Sequence, residues 1–287
     1  MPAQTQTAGR LGNTRVTGKE QFYTPVGLAH TLVEYVEQIL GPLQGKKVLE
    51  PAGGTGSFVE AALARGAQVI SFDIEPLHPA VDQGSFLEQE LSHENLITIS
   101  NPPFGRNNSL SIPFFNHAAT SSDAICFIVP RSWRKWSVTN RLDLNFELLS
   151  DQDLDIDYMD SSGDLISDKS RLATCFQIWK RNSVARVPVK IKDMGVVEKV
   201  SPQQADISLT VFGYGCGTVK QQFDRVPNTT QLFLKLNHPK ALAALRSVDF
   251  SRFFRSTAYT EALSIQEINY LLNEEIFGDP MIESGSK

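Results

Sequence analysis

The amino-acid sequence predicts an α/β fold: a doubly wound, mostly parallel sheet with an antiparallel hairpin at one edge and a small C-terminal α+β accessory region. Three observations predict it. From Lys46 to about Asn182, short apolar segments alternate with segments of helical period. A glycine-rich turn, "GGTG", joins the first apolar segment to the first helix of that series. Beyond Asn182 the alternation stops, and short strand-like runs separated by glycines take over.

Residues 1–20 are polar and aperiodic and read as a flexible tail. In "FYTPVGLAHTLVEYVEQIL", Thr24 is placed to cap a helix and Pro25 to occupy its first position, where a missing N–H costs nothing. Leu28, Leu32, Val36 and Ile39 then recur at helical spacing until Gly41 and Pro42 stop the helix. "KKVLE" reads as a strand, "GSFVEAALARG" as a helix, and "AQVISFD" and "NLITIS" as further strands. "IPFFNHAAT" follows as a helix and "AICFIVP" as a strand. Strands alternating with helices imply right-handed crossovers and a parallel sheet. "LDIDYM" and "ATCFQIWKR" are expected to form the edge hairpin. The main domain is therefore expected at 21–182 and an accessory domain at 183–277, followed by a second flexible tail at 278–287. Within the accessory region "ISLTVF", "GYGCG" and "QLFLKL" read as short strands with glycine turns. "ALSIQEINYLLNEEI" reads as a helix opened by the capping box Ser264–Glu267.

With 287 residues, 41% hydrophobic and 21% charged, the composition is that of an ordinary soluble globular protein. Its apolar runs, such as "AICFIV", are too short to cross a bilayer, and the first fifteen residues lack a signal-peptide core. Cys126, Cys175 and Cys216 stand far apart without a CxxC pair, which argues against a disulfide framework or structural zinc. His30, His78, His93, His117 and His238 show no ligand spacing either, so no metal is expected. A cytoplasmic location with no membrane partner follows as the expectation.

The turn "EPAGGTGSF" lets a backbone bend sharply and approach a ligand at Gly53, Gly54 and Gly56. One strand later "SFDIEP" ends in Asp73, a carboxylate placed for a ribose diol. Val59 stands where a dinucleotide fingerprint needs its third glycine, and no GxxxxGK[ST] is present. An adenosine ligand without a pyrophosphate fits these residues better. The third signal is "NPPF", Asn101 to Phe104, directly after an apolar strand. Prolines end the ladder there, leaving either a tight turn or a rigid outward display of one amide and its neighbouring carbonyls. The fourth is "PRSWRKWSVTNR", which interleaves Arg131, Arg134, Lys135 and Arg141 with Trp133 and Trp136. That mixture suits phosphate contact and base stacking, or else a solvated helix face with its tryptophans in the core. The net charge of −5 does not decide between these, because binding is local.

With these residues in view, the sequence resembles the class I S-adenosylmethionine-dependent methyltransferases, and within them the adenine-N6 DNA methyltransferases. The resemblance spans about residues 20–180 and rests on "FYTP", "EPAGGTGSF", "FDIEP" and "NPPF" in that order. It implies a Rossmann-like methyltransferase domain, S-adenosyl-L-methionine as cofactor and DNA as partner, with the target-recognition region C-terminal. By the resemblance, Tyr23, Thr24 and Pro25 line the methionine end of the cofactor, and Glu50, Ala52, Gly53, Gly54 and Gly56 surround its amino-acid and ribose parts. Asp73 binds the ribose and Ile74 packs on the adenine. Ser85, beside Phe86, stands where the family often has the Asp of an Asp-Phe pair that binds the cofactor adenine. Asn101 and the Pro102 carbonyl accept the two N–H groups of the target amino nitrogen, Pro103 stiffens the segment and Phe104 stacks on the extruded base. Arg131, Trp133, Arg134, Lys135 and Arg141 are the expected nucleic-acid contacts. Three alternatives stay open: RNA adenine, a protein glutamine amide (those enzymes carry a similar NPPY), or a nucleic-acid-binding protein with a vestigial site.

Overall fold

Burial on both faces governs the central strands, as crossover helices require. The computed structural model describes residues 22–91, 95–159, 172–223 and 228–281. The first expected tail, residues 282–287 of the second, and His93 lie outside the described residues. In chain order the first part comprises α1 (Val26–Leu40), β1 (Lys47–Glu50), α2 (Ser57–Leu63), β2 (Gln68–Asp73), β3 (Asp82–Gln83) and β4 (Leu96–Ser100). Then come α3 (Ser111–Ala118), β5 (Ser122–Pro130), α4 (Trp136–Thr139), β6 (Phe146–Leu154) and β7 (Thr174–Arg181). All five residues of β4 are buried, and β5 is buried everywhere except Asp123.

The seven strands lie in the order β3-β2-β1-β4-β5-β7-β6. The first five are parallel, and β7 runs antiparallel between β5 and β6. This is the expected doubly wound, mostly parallel sheet with an antiparallel edge. One face is covered by α1 and α2, which bury Ala29, Leu32, Val33, Val36, Phe58 and Ala61. The other is covered by α3, whose Phe115 ring packs edge-on against Trp133, Phe146 and Trp179 at 5.5–5.7 Å. Strand order reverses between β1 and β4, and an open α/β sheet binds ligands at the carboxyl ends of the strands flanking such a switch.

Two expectations change here. The partner of β7 in the edge hairpin is Phe146–Leu154, not "LDIDYM". β6 is an edge strand, exposed or half-buried after Phe146 and rich in charge, so it carries little apolar signal. "LDIDYM" alternates for a different reason: Ile156 and Tyr158 sink into the core while the chain crosses back to pair Met159 with Tyr23. The second change concerns Thr24, which does not cap α1. Pro25 is the cap residue, and no side chain caps that end.

The C-terminal part comprises β8 (Val197–Lys199), β9 (Ile207–Phe212), β10 (Val219–Lys220), β11 (Thr230–Leu236), α5 (Ala241–Ser247), α6 (Ser251–Phe254) and α7 (Ile265–Phe277). Its antiparallel sheet, ordered β10-β9-β11-β8, buries Ile207, Leu209 and Leu234 in one cluster with Leu245, Ile268, Leu271 and Leu272 of the helices. The capping box at Ser264 and Glu267 is present in both directions. "GYGCG" is a turn and not a strand: Gly213, Gly215 and Gly217 all take φ near +80 to +90°, a region closed to pairing strands.

The two parts touch through the segment after β5. Lys135 Nζ donates to both oxygens of the buried Glu267 carboxylate, at 2.9 and 3.0 Å, and to the Ala262 carbonyl at 3.2 Å. Trp136 packs against Phe253 and Tyr270 at 5.5 and 5.3 Å. Ala173, just before β7, donates its N–H to the Ala258 carbonyl at 2.7 Å. Among the described residues no helix is long and apolar enough to cross a membrane.

Candidate functional site

At the switch point a pocket opens between the ends of β1 and β4. Phe22, Tyr23, Thr24, Glu50, Ala52, Gly53, Thr55, Ser57, Phe58 and Asn101 line it. No lysine, arginine or histidine is among them.

The glycine loop is stitched to the end of β2. Gly53 donates to the Phe72 carbonyl at 2.9 Å, and Gly54 to Asp73 Oδ2 at 2.8 Å. Gly54 has φ +46°, and a Cβ there would lie 2.7 Å from the Tyr23 ring. Tyr23 thus closes over the loop, and burial, with the Asp73 charge second, raises its phenol above the usual range. Asp73 Oδ1 accepts from the N–H of Glu75 at 2.9 Å. Each carboxylate oxygen keeps a free lone pair after one such bond, so a diol can still be bound. Beside Asp73, Ile74 is 58% exposed, an uncovered aliphatic face at the mouth of the loop.

Glu50 is the buried acid of the site. Its Oε1 accepts from Ser100 Oγ at 2.5 Å and from the N–H of Ala52 at 2.9 Å. Burial outweighs both hydrogen bonds, and the Asp73 charge adds to it, so the carboxyl is pushed up to about 8. Asp73 is raised as well, chiefly by burial.

Asn101 is held by the segment before α1. Its Nδ2 donates to the Phe22 carbonyl at 2.8 Å and to Thr24 Oγ1 at 3.2 Å. A carbonyl can only accept, so this bond fixes which side of the amide carries the nitrogen. Asn101 Oδ1 therefore faces the other way, buried and without a hydrogen-bond partner. The diversion of the Thr24 hydroxyl to Asn101 is why it caps nothing, while its carbonyl accepts from Ser57 Oγ at 2.7 Å.

Not every expected site residue reaches this pocket. Phe104 is 5% exposed and its ring belongs to the core, so it offers no face to a base. Phe86 is likewise a core ring, 4.7 Å from His117 and 5.4 Å from Phe114, and Ser85 opens the short 3₁₀ turn that follows. Pro102 is buried and Pro103 half-buried. In the basic-aromatic segment Trp133 is fully buried, with its indole N–H on Ser111 Oγ at 3.3 Å. Arg134 holds Asp151 bidentately and reaches Asp153, and Arg131 pairs with Asp153 at 3.2 Å. With Lys135 bound to Glu267, Arg141 is the exposed cation of the four. The reason is topological: β6 sets acidic residues beside the segment, and these carboxylates take up its charge.

His78, which sequence spacing leaves as an ordinary packing residue, sits against the glycine loop. A Cβ on Gly56 would meet its ring at 2.4 Å. Its Nδ1 accepts from the N–H of Ala80 at 3.2 Å, so Nε2 carries the proton towards Glu60, 2.9 Å away. Eighteen residues separate the pair, and no local motif announces it. Cys126, Cys175 and Cys216 are all unpaired, and no group of three or more metal-ligating side chains occurs among the described residues.

No protein-family model matches the chain. No curated protein matches it either. Solved structures do resemble it over about 57% of its length. One is a candidate RNA methyltransferase from Pyrococcus horikoshii, at 21% identity and TM-score 0.47, with 57% of this chain and 88% of that one covered. Another is the modification subunit of a candidate type I restriction enzyme from Vibrio vulnificus, at 16% and 0.41, covering 56% of this chain and 44% of the other. A third is a candidate class I S-adenosylmethionine-dependent methyltransferase from Listeria monocytogenes, at 14% and 0.42, with 58% and 63% covered. Scores of this size leave the function to be read from the chain's own residues.

Proposed function

We propose that the chain is an S-adenosylmethionine-dependent methyltransferase that methylates the exocyclic amino group of adenine, N6, in DNA after the base is flipped out. The observation that carries this reading is the buried, unpartnered Oδ1 of Asn101, locked in place by the Phe22 carbonyl. A buried acceptor without a partner is costly to maintain, so such a group points to a donor brought by the substrate. An amino group of low basicity is such a donor. Accepting one of its N–H bonds at Asn101, and a second at the Pro102 carbonyl, turns the nitrogen lone pair outward.

The pocket suits the cofactor in charge. Glu50 and Asp73 are both held above the ordinary carboxylate range by burial, and no basic side chain lines the cavity. Such a site favours a cationic ligand over an anionic pyrophosphate. When bound, S-adenosylmethionine supplies a methyl group already activated on a sulfonium, so the chain's task is positioning and water exclusion. Glu50 answers the ammonium of the methionine part, Asp73 the ribose hydroxyls and Ile74 the adenine face, while Tyr23 closes the loop side. His78 and Glu60 keep the segment after Asp73 against the glycine loop.

The cofactor reading is tested by thermal shift. Millimolar S-adenosylmethionine should raise the melting temperature, as any ligand bound only by the folded state does, and NAD or ATP should not. An equal shift with NAD overturns it. Asp73→Ala should weaken S-adenosylmethionine binding by about ten- to a hundredfold, the worth of one charge-assisted hydrogen bond, in a calorimetric titration. Unchanged affinity removes Asp73 from the ribose site. The substrate is tested by supplying methyl-labelled cofactor and separating DNA, RNA and protein. Label is expected in DNA as N6-methyladenine; label in RNA, or on a protein glutamine, selects that alternative instead.

A further inference from the structure

We propose that the glycine turn Gly213–Gly217 and the loop before α7 form a stacking platform for the nucleic acid that flanks the flipped base, centred on Tyr214 and Tyr259. The inference rests on the methyltransferase reading above and names the surface that its substrate would touch.

Tyr214 is 96% exposed, at the tip of a turn whose glycines are set in left-handed backbone. A large ring presented almost wholly to water on a short turn does nothing for the fold, since its burial contributes no stability. Tyr259 is 60% and Phe212 43% exposed. They share one surface: the N–H of Gly213 donates to the Glu261 carbonyl at 3.0 Å, and Phe212 bridges Ala262. Arg255, on the same loop and largely exposed, lies over the Phe254 ring at 5.6 Å, with Glu261 Oε1 3.9 Å from its Nε. Lys220 is exposed on the neighbouring β10.

Two contacts place this surface and the pocket at the same end of the sheet, where Thr174 pairs with Pro130 at the close of β5. Asn101 bonds to the Phe22 carbonyl, and the Phe22 ring packs on Tyr158 at 5.3 Å. The Ala173–Ala258 hydrogen bond fixes the loop at the catalytic end of the sheet. Exposed rings stack on bases of any sequence, and an arginine on the same loop reaches phosphates. The occupant is a nucleic-acid strand rather than a protein, because the strand's flanks must lie beside the pocket once the base is out. The basic-aromatic segment 131–135 cannot serve, its cations being held by Asp151, Asp153 and Glu267.

The full chain, with S-adenosylmethionine present, should be titrated against a fluorescent DNA duplex and followed by anisotropy. Tyr214→Ala should weaken binding on the order of tenfold and Tyr214→Phe should restore it, because stacking needs the ring and not the hydroxyl. Arg255→Ala should lower the salt slope. Melting temperature and cofactor affinity should not move. If the unaltered chain binds DNA and Tyr214→Ala, alone and with Tyr259→Ala, binds equally well, the platform is refuted while the methylation reading stands. If the unaltered chain binds no nucleic acid and labels protein instead, both fall together.

Discussion

Replacing Asn101 with alanine is expected to reduce single-turnover methyl transfer by about 10²- to 10³-fold, the usual effect of deleting one preorganised hydrogen-bonding group aimed at the reacting centre. Cofactor affinity should change far less, because in the proposed function Asn101 Oδ1 meets the target amino group, while Glu50 and Asp73 hold the cofactor. Two variants separate its two ends. Asn101→Asp keeps an acceptor but cannot donate to the Phe22 carbonyl, now 2.8 Å from Nδ2. Thr24→Val leaves the Phe22 bond intact and removes only the 3.2 Å contact. Asn101→Asp should therefore be nearly as inactive as alanine, and Thr24→Val should lose much less. Near-normal transfer by Asn101→Ala would mean that the segment after β4 is only a turn.

The second large effect is a pH dependence centred on Glu50. Its carboxyl is raised by burial to about 8, well above the ordinary value of 4.5. Between those two values the folded chain holds a proton that the unfolded chain has released. Stability contributed by the neutral form is thus full below about pH 4.5 and is lost as the pH rises through 8. The loss is on the order of a few kcal/mol, since each tenfold change in a protonation equilibrium corresponds to about 1.4 kcal/mol. Glu50→Gln, which cannot ionise, should flatten the fall in melting temperature between about pH 5 and 9. It should also abolish most cofactor binding. A bound ammonium favours the ionised Glu50, so cofactor binding below pH 8 should release a proton, and affinity should rise with pH up to about that value. Calorimetry in buffers of different ionisation enthalpy reads that proton directly. Binding that releases none at about pH 7 would place the ammonium elsewhere.

These effects follow from groups of different legibility. Alternation of short apolar runs with helical ones, from Lys46 to Lys180, was enough to place five strands of the sheet and two helices. Apolar period is a local property, and these elements are buried along their length. The glycine loop, Asp73 and Asn101 were singled out for the same reason, standing at the carboxyl ends of strands that the pattern locates, where a parallel sheet opens to ligands, while Glu50 was named by the resemblance alone. β6 was not, because an exposed edge strand carries charge where a buried one carries valine.

What only the tertiary structure decided was the partner of each polar group. Sequence shows Arg131, Arg134 and Lys135 as cations; it takes the fold to bring Asp151, Asp153 and Glu267 against them, the last 132 residues away. It shows Trp133 and Phe104 as aromatic, and only packing makes both core residues. It shows His78 as isolated, and only folding sets it on Gly56. Above all, it shows Asn101 as an amide with two ends, and the Phe22 carbonyl, 79 residues earlier, decides which end is left without a partner. Hydrophobic pattern repeats along the chain and can be read there, whereas a hydrogen bond belongs to two residues whose sequence separation is arbitrary, so its direction exists only once the chain has closed around it.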